Sequence, residues 1–143
     1  MPSLTTGPWQ NAGMDQHPSP GTGGARLSGT TLNSPDPHAL AVFYAELLGW
    51  EIAADEPDWV TLPNPAGGPG LSFQAEPEYV RPVWPAAAGN QQMIMHLEIQ
   101  VQDLDLASAH ARACGAEEAE FQPQDDVRVH LDPDGHPFCL FTG

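Results

Sequence analysis

The sequence predicts an α+β fold made of two similar βαβββ modules in tandem. Three observations support this. A helical run of apolar residues ends at Gly49, and a second ends at Gly115. A strand candidate precedes each helix, and short strand candidates follow each helix. Each module alone would expose an apolar sheet face. We therefore expect a curled mixed sheet, a half-barrel, with a concave ligand pocket inside and helices outside.

The chain is expected to carry one folded domain after a disordered tail. Residues 1–25 contain several Pro and Gly, few aliphatic residues and no hydrophobic period. The domain then covers residues 26–143. It divides into a first module at 26–76, a proline-rich linker at 77–91 and a second module at 92–143.

The first module contains the most strongly predicted helix. Asp36 is a favourable N-cap, Pro37 suits the first helical position and Gly49 suits the C-terminal stop. A strand is predicted before it, at Arg26–Asn33, with Leu27 and Leu32 as apolar anchors. Three strands are predicted after it, at Trp50–Ala53, Trp59–Leu62 and Leu71–Ala75.

The second module repeats this order. Residues Met93–Val101 alternate between apolar and polar, which predicts a strand. Asp103 or Asp105 is expected to cap a helix, and Leu106, Ala109 and Ala113 are expected on its buried side. Strands are then predicted at Glu118–Phe121, Val127–Leu131 and Phe138–Phe141. The last two are joined by the turn sequence DPDGHP.

Composition excludes several function classes. The net charge is −15, with four Arg and no Lys, so the chain repels nucleic acid and anionic membranes. No apolar run is long enough to span a bilayer and no signal peptide is recognised, which favours a soluble cytoplasmic protein. Two Cys make no disulfide framework. There is no phosphate-binding Gly loop and no CxxC, so no organic cofactor is expected.

His96 and Glu98 are the predicted catalytic pair. They lie two residues apart on the polar face of a predicted strand, so both should face the pocket if either does. In one interpretation, Glu98 orients His96, which binds a ligand or acts as a base. In the other, His96 is a hydrogen-bonded histidine in a pocket wall.

Cys139 lies between Phe138 and Leu140 on the last strand and should share the concave side with Phe141. An inert buried thiol is the simpler interpretation. The alternative pairs Cys139 with His96, as a partial metal site or as a thiolate–imidazole couple.

Further residues are predicted to line the pocket. Arg128 and His130 share one strand face, which points either into the pocket or into solvent. His136 is expected to be a turn residue rather than a ligand. Trp84, in the linker, is expected to cover a surface. The predicted pocket residues are Trp59, Ser72, Gln74, Arg128, His130, Cys139 and Phe141.

Three segments make residues 26–143 resemble the vicinal oxygen chelate superfamily, which includes glyoxalase I, extradiol dioxygenases and bleomycin-resistance proteins. They are DPHALAVFYAELLGWEI after the first strand, MHLEIQVQDLDLA at the start of the second module, and DPDGHPFCLF at the end. The set looks most like the glyoxalase-like domain subgroup, which is common in high-GC bacteria.

The resemblance implies a metal site built from the first and fourth strands of each module. By position, its ligands would fall at Gly29, Ser72, His96 and Cys139. Gly29 has no side chain and Ser72 is a poor ligand, whereas a divalent site normally needs three or more protein ligands. No complete metal site is therefore expected. His96 and Cys139 remain the weak candidates for a divalent ion, and Cys139 would favour a softer metal.

Three functions remain open. The first is a small-molecule binder of the drug-resistance kind, without the full metal site. The second is a lyase, isomerase or dioxygenase of the same superfamily, in which His96 and Glu98 transfer protons. The third is an accessory protein that docks a partner through its sheet edges or tail. The resemblance also implies a homodimer.

Overall fold

The computed structural model describes residues 21–143, so most of the predicted tail at 1–25 lies outside the described residues. The first module comprises β1 (Gly29–Ser34), α1 (Pro37–Leu48), β2 (Asp55–Glu56), β3 (Trp59–Leu62) and β4 (Gly70–Ala75). The second comprises β5 (Leu97–Gln100), α2 (Leu104–Cys114), β6 (Glu117–Glu118), β7 (Val127–Leu131) and β8 (Pro137–Phe141).

Each module forms a four-stranded mixed sheet with the same topology. The strand orders are β1-β4-β3-β2 and β5-β8-β7-β6. In both sheets the first strand pairs in parallel with the fourth, and the other pairs are antiparallel. The predicted α+β fold of two tandem βαβββ modules is thus confirmed. Within residues 21–143 no strand pairing joins the two sheets, and no helix is long and apolar enough to cross a membrane.

Helix α1 begins and ends as predicted. The Asp36 side chain accepts a hydrogen bond from the Ala39 amide at 3.1 Å, and Pro37 occupies the first turn. Gly49 ends the helix at a φ of 70°, a conformation that favours glycine.

Helix α2 is capped by Asp103, one of the two predicted caps, but its buried face differs from the prediction. Leu106 is 70% exposed, while Ser108 and Ala111 are buried. The prediction chose the wrong row of residues, because the face that packs on the core carries Leu104, Ala107, Ala111 and Cys114 together with the polar Ser108. Its burial is permitted because its hydroxyl hydrogen-bonds His130 Nε2 at 2.8 Å.

Four predicted strands differ from those in the structure. The strand predicted at Arg26–Asn33 starts only at Gly29, and Leu27, one of its two expected anchors, lies before it and is 72% exposed. Trp50–Ala53 is not a strand, because Ala53 and Ala54 both pair with Thr61 and form a bulge. The strand predicted at Met93–Val101 starts only at Leu97, since Ile94 has a φ of 65°. In the strand predicted at Glu118–Phe121, only Glu118 lies in the two-residue β6. Beyond it, the side chain of Gln122 bonds the backbone of Val129.

One hydrophobic core unites the two modules. The Tyr44 ring of α1 stacks on Phe73 of β4 and meets Phe138 of β8 edge-on, with ring centroids 5.7 Å and 6.1 Å away. This face of both sheets is called the helix face below, and the opposite one the open face. The buried members of this core are Leu40, Ala41, Phe43, Tyr44, Val60, Leu62, Leu71, Phe73, Ala111, Ala116, Phe138 and Leu140.

The linker places Trp84 over the open face of the second sheet, as predicted for a residue that covers a surface. The indole packs against the buried cluster that Ala119, Val129 and Cys139 form. Its Nε1 donates a hydrogen bond to the Phe121 carbonyl at 3.2 Å.

Candidate functional site

Strand register brings polar groups together on the open face of the second sheet. Glu98 of β5 and Val129 of β7 both pair with Cys139 of β8, so the three side chains share one face. His96 lies just before β5, and its Nε2 is 2.5 Å from Glu98 Oε1. The candidate ligand atoms of His96, Glu98 and Cys139 all lie within 4.8 Å of one another. We call this group the His–Glu–Cys cluster.

Burial and charge keep the Cys139 thiol protonated. Burial is the main cause that raises its pKa to about 11. The negative charge of Glu98 and the hydrogen bond to Glu98 raise it further. The thiol therefore donates to the Glu98 carboxylate near neutral pH. This state does not support the thiolate–imidazole couple, because a nucleophile would need the thiolate.

Two members of the cluster, His96 and Glu98, line a cavity of about 470 Å³ between the modules, which we call the seam cavity. Cys139, which was predicted to line the pocket, is not among the residues that line this cavity. Most of its wall is apolar, and imidazole, carboxylate and hydroxyl groups are placed around it. This is the usual composition of a small-molecule site. The lining residues are Thr30, Leu32, Tyr44, Ile94, Met95, His96, Leu97, Glu98, His136 and Pro137.

The turn between β7 and β8, residues 132–136, contributes a second polar group that the sequence prediction missed. We call it the terminal turn. His136, predicted to be a turn residue, is only 16% exposed and lines the seam cavity. Its Nδ1 lies 2.8 Å from the fully buried Asp132, which also accepts from the Tyr44 hydroxyl at 2.7 Å. The spacing of Asp132 and His136 in DPDGHP was the available signal, but any aspartate in a turn can bond its own backbone.

The predicted pocket residues of the first module lie elsewhere. Trp59, Ser72 and Gln74 alternate with buried residues and occupy the open face of the first sheet. Trp59 and Ser72 line a separate cavity of about 490 Å³ that Gly29 also borders. Phe141 is two residues beyond Cys139 on the same open face, paired with Gln100. Neither Gln74 nor Phe141 lines the seam cavity.

Arg128 and His130 face α2, so neither of the two predicted orientations is correct. Arg128 Nη2 binds the Asp105 carboxylate at 2.7 Å. His130 is fully buried, stacks on Phe138 and bonds Ser108. They point this way because the register that puts Val129 beside Cys139 places its neighbours on the opposite face.

The donor set fits a divalent ion only in part. His96, Glu98 and Cys139 supply three ligand types that zinc accepts, and three protein ligands with an open fourth position suit a catalytic ion. The other two positions implied by the resemblance, Gly29 and Ser72, border a different cavity and offer at most a hydroxyl. The residues therefore fit a three-ligand site and do not fit the four-ligand site.

Comparison with known proteins agrees with this architecture. The glyoxalase-like domain family matches residues 29–141. A search of curated proteins finds no match. Among solved structures, the fold resembles a glyoxalase/bleomycin resistance protein/dioxygenase family enzyme from Burkholderia phytofirmans PsJN. That protein has 19% identity and a TM-score of 0.62, over 82% of this chain and 98% of the other.

Two further structures show the same fold. One is a glyoxalase-related enzyme from Fulvimarina pelagi, with 20% identity and a TM-score of 0.61 over 83% of this chain and 89% of the other. The second is a glyoxalase/bleomycin resistance protein from Albidiferax ferrireducens T118, with 18% identity and a TM-score of 0.58 over 82% and 98%. Because the family match covers most of the chain, this protein belongs to the glyoxalase-like domain family.

Proposed function

We propose that this protein binds a small organic molecule in the seam cavity, without the full metal site of its superfamily. One observation carries the proposal. A mainly apolar cavity of about 470 Å³ lies between the modules, and the His96–Glu98 pair lies at its wall. Apolar walls would supply binding energy, and the pair would fix the orientation of a polar ligand group.

The contact between His96 and Glu98 and the exposure of both side chains support this role. Glu98 bonds His96 Nε2 and so holds the imidazole ring at the cavity wall. The two side chains are 34% and 28% exposed, so an entering ligand can reach them. His96 can then bond the ligand through Nδ1 or exchange a proton with it.

A cavity-blocking variant tests the proposal. Thr30 borders the seam cavity, whereas its neighbour Thr31 points to the other face and borders other cavities. We expect Thr30→Phe to abolish the thermal shifts that small aromatic metabolites and antibiotics give the chelator-treated wild-type protein. Thr31→Phe is the matched control and should retain them. Shifts that survive in Thr30→Phe would contradict the proposal.

The His–Glu–Cys cluster favours a second candidate, a lyase, isomerase or dioxygenase with an altered metal site. His96, Glu98 and Cys139 would hold the ion. A divalent ion bound there would polarise a ligand oxygen. The protein's own contribution would be to place His96 and Glu98 for proton transfer.

Zinc titration of chelator-treated protein separates the two candidates. The second candidate requires stoichiometric zinc binding that Cys139→Ser weakens and Cys114→Ser leaves unchanged. Cys114 lies at the end of α2, outside the cluster, and so serves as the control. Absence of zinc binding by the wild-type protein would remove the second candidate and leave the first.

A further inference from the structure

The chain just before β5 is held in a strained turn. Ile94 has a φ of 65°, and within residues 21–143 it is the one residue other than glycine with a positive φ. The Met95 amide donates a hydrogen bond of 2.7 Å to the carbonyl of Met93, two residues earlier. This bond closes a γ-turn whose central residue has a positive φ, which is the rare and strained form. A β-branched residue makes the conformation a genuine outlier.

The same turn exposes two large apolar side chains at the wall of the seam cavity. Ile94 is 81% exposed and Met95 is 68% exposed, although both residues border the cavity. Apolar side chains gain free energy when they are removed from water. The backbone strain and the exposure are both unfavourable, so this segment stores free energy that another conformation would release.

The amino-acid pattern indicates what that other conformation is. The alternation over residues 93–101 is typical of a strand, yet β5 starts only at Leu97. With Ile94 in extended backbone, the extended chain would reach back to Met93. Met95 would then lie on the same face as Leu97, which lines the seam cavity and packs against the core. A change of φ at Ile94 would therefore carry Met95 from solvent to the cavity.

Both ends of the segment are fixed, so the change involves only a few residues. On one side, the Val83 amide of the linker donates to the Gln91 carbonyl at 2.9 Å. On the other side, His96 Nε2 lies 2.5 Å from Glu98 Oε1 of β5. A short segment between two fixed ends, with a strained residue inside it, is typical of a loop that closes over a ligand.

We infer that residues 92–95 form a lid over the seam cavity, which is open in this structure and closes when a ligand binds. Closure takes Ile94 from its positive φ to extended backbone and places Met95 against the ligand. The flexible Met side chain suits a contact that must adapt to the shape of the ligand. This inference rests on the proposed function, because it describes how the same cavity is closed.

Two substitutions of Ile94 distinguish a lid from a fixed wall. Both remove the side chain beyond Cβ, but glycine adopts a positive φ readily and alanine does not. Ile94→Gly therefore favours the open lid relative to Ile94→Ala. We expect Ile94→Gly to bind 1-naphthalenemethanol about tenfold more weakly than Ile94→Ala, the ratio that corresponds to the cost of a positive φ. Amide NMR titrations of the chelator-treated variants give both dissociation constants.

Gln92→Gly and Gln92→Ala are the matched controls. Gln92 lies in the same segment without a positive φ, and it borders a neighbouring cavity of about 520 Å³ rather than the seam cavity. These two variants should bind the probe equally. In the wild-type protein, a positive φ gives a strong nuclear Overhauser effect between the amide and α protons of Ile94. This effect should weaken when 1-naphthalenemethanol is added.

Four outcomes would overturn the inference. The first is an affinity of Ile94→Gly that equals or exceeds that of Ile94→Ala. The second is a loss of affinity in Gln92→Gly as large as that in Ile94→Gly, which would assign the effect to chain flexibility. The third is an unchanged Overhauser effect at Ile94 with the probe bound. These three results leave the proposed function intact, because the probe still binds. The fourth is no binding of the probe by the wild-type protein, which would overturn the proposed function as well.

Discussion

Ser34 Oγ donates a hydrogen bond of 2.6 Å to Asp134 Oδ2, across 100 residues of sequence. The contact ties the end of β1 to the terminal turn of the second module. Ser34 is fully buried, and its oxygen also accepts from the Asp36 amide at 3.0 Å. One side chain thus connects the first strand, the start of α1 and the turn that carries His136.

Replacing Ser34 should destabilise the protein. Ser34→Ala leaves the part-buried Asp134 carboxylate without this donor, which costs about 1–3 kcal/mol in the free energy of unfolding. Urea unfolding of the variant measures the loss. Ser28→Ala is the control, because Ser28 is exposed, and its stability should match that of the wild-type protein. Equal stability of all three proteins would show that the contact contributes nothing.

Gly135 should tolerate no side chain. Its φ is 90°, and an added Cβ would lie 2.5 Å from Arg81 Cγ. Gly135→Ala should therefore lose more stability than Gly115→Ala. Gly115 also has a positive φ, of 118°, but has open space around it, so that substitution costs only the backbone term of about 1–2 kcal/mol.

The double variant Arg81→Ala with Gly135→Ala isolates the clash. Removal of the Arg81 side chain should restore part of the stability lost in Gly135→Ala, as measured by thermal unfolding. If the stability losses of the two single variants simply added in the double variant, the close approach of Arg81 and Gly135 would not be the cause of the loss in Gly135→Ala.

Trp84 should protect the Cys139 thiol. Cys139 is only 8% exposed, and the Trp84 indole packs against the buried cluster of Ala119, Val129 and Cys139. In a Cys114→Ser background, where Cys139 is the one remaining cysteine, Trp84→Ala should speed the reaction of the thiol with a disulfide reagent at pH 8 several-fold. Val83→Ala is the control, because Val83 is an exposed neighbour of Trp84, and it should leave the rate of the thiol reaction unchanged. An unchanged rate in Trp84→Ala would mean that other groups shield the thiol.

His130 should make the protein acid-sensitive. Burial lowers the pKa of His130 in the folded state, whereas the unfolded side chain titrates near 6.5. The unfolded state therefore binds more protons below about pH 6.5, and the free energy of unfolding falls as the pH drops through this range. Urea unfolding at pH 7, 6 and 5 should show this slope, and His130→Gln should flatten it. A slope unchanged in His130→Gln would assign the acid sensitivity to other groups.

The sequence predicted features that depend on local chemistry. The caps of α1 and the order of elements within each module follow from residues near one another in the chain. Features set by partners far away in sequence were missed. The buried face of α2 depends on His130 as the partner of Ser108. His136 became a cavity residue because Tyr44 and Tyr79 meet the terminal turn, a contact that no periodicity reveals.

Strand register explains why one part of the candidate site could be predicted from the sequence and another part could not. The spacing of His96 and Glu98 predicted one shared face, and the structure joins the two side chains. The orientation of Arg128 and His130 could not be predicted, because alternation defines two faces without saying which one meets a helix. The pairing of Val129 with Cys139 determines that the side chains of Arg128 and His130 lie on the face that meets α2.

The location of bound ligand tests the central claim most directly. Amide spectra of the chelator-treated protein should be recorded while small aromatic acids and alcohols are added one at a time. We predict that the shifts cluster at His96, Leu97, Glu98 and His136, which border the seam cavity. Shifts confined to the cavity around Trp59 and Ser72, or no shifts with any compound, would contradict the claim that the seam cavity is the binding site.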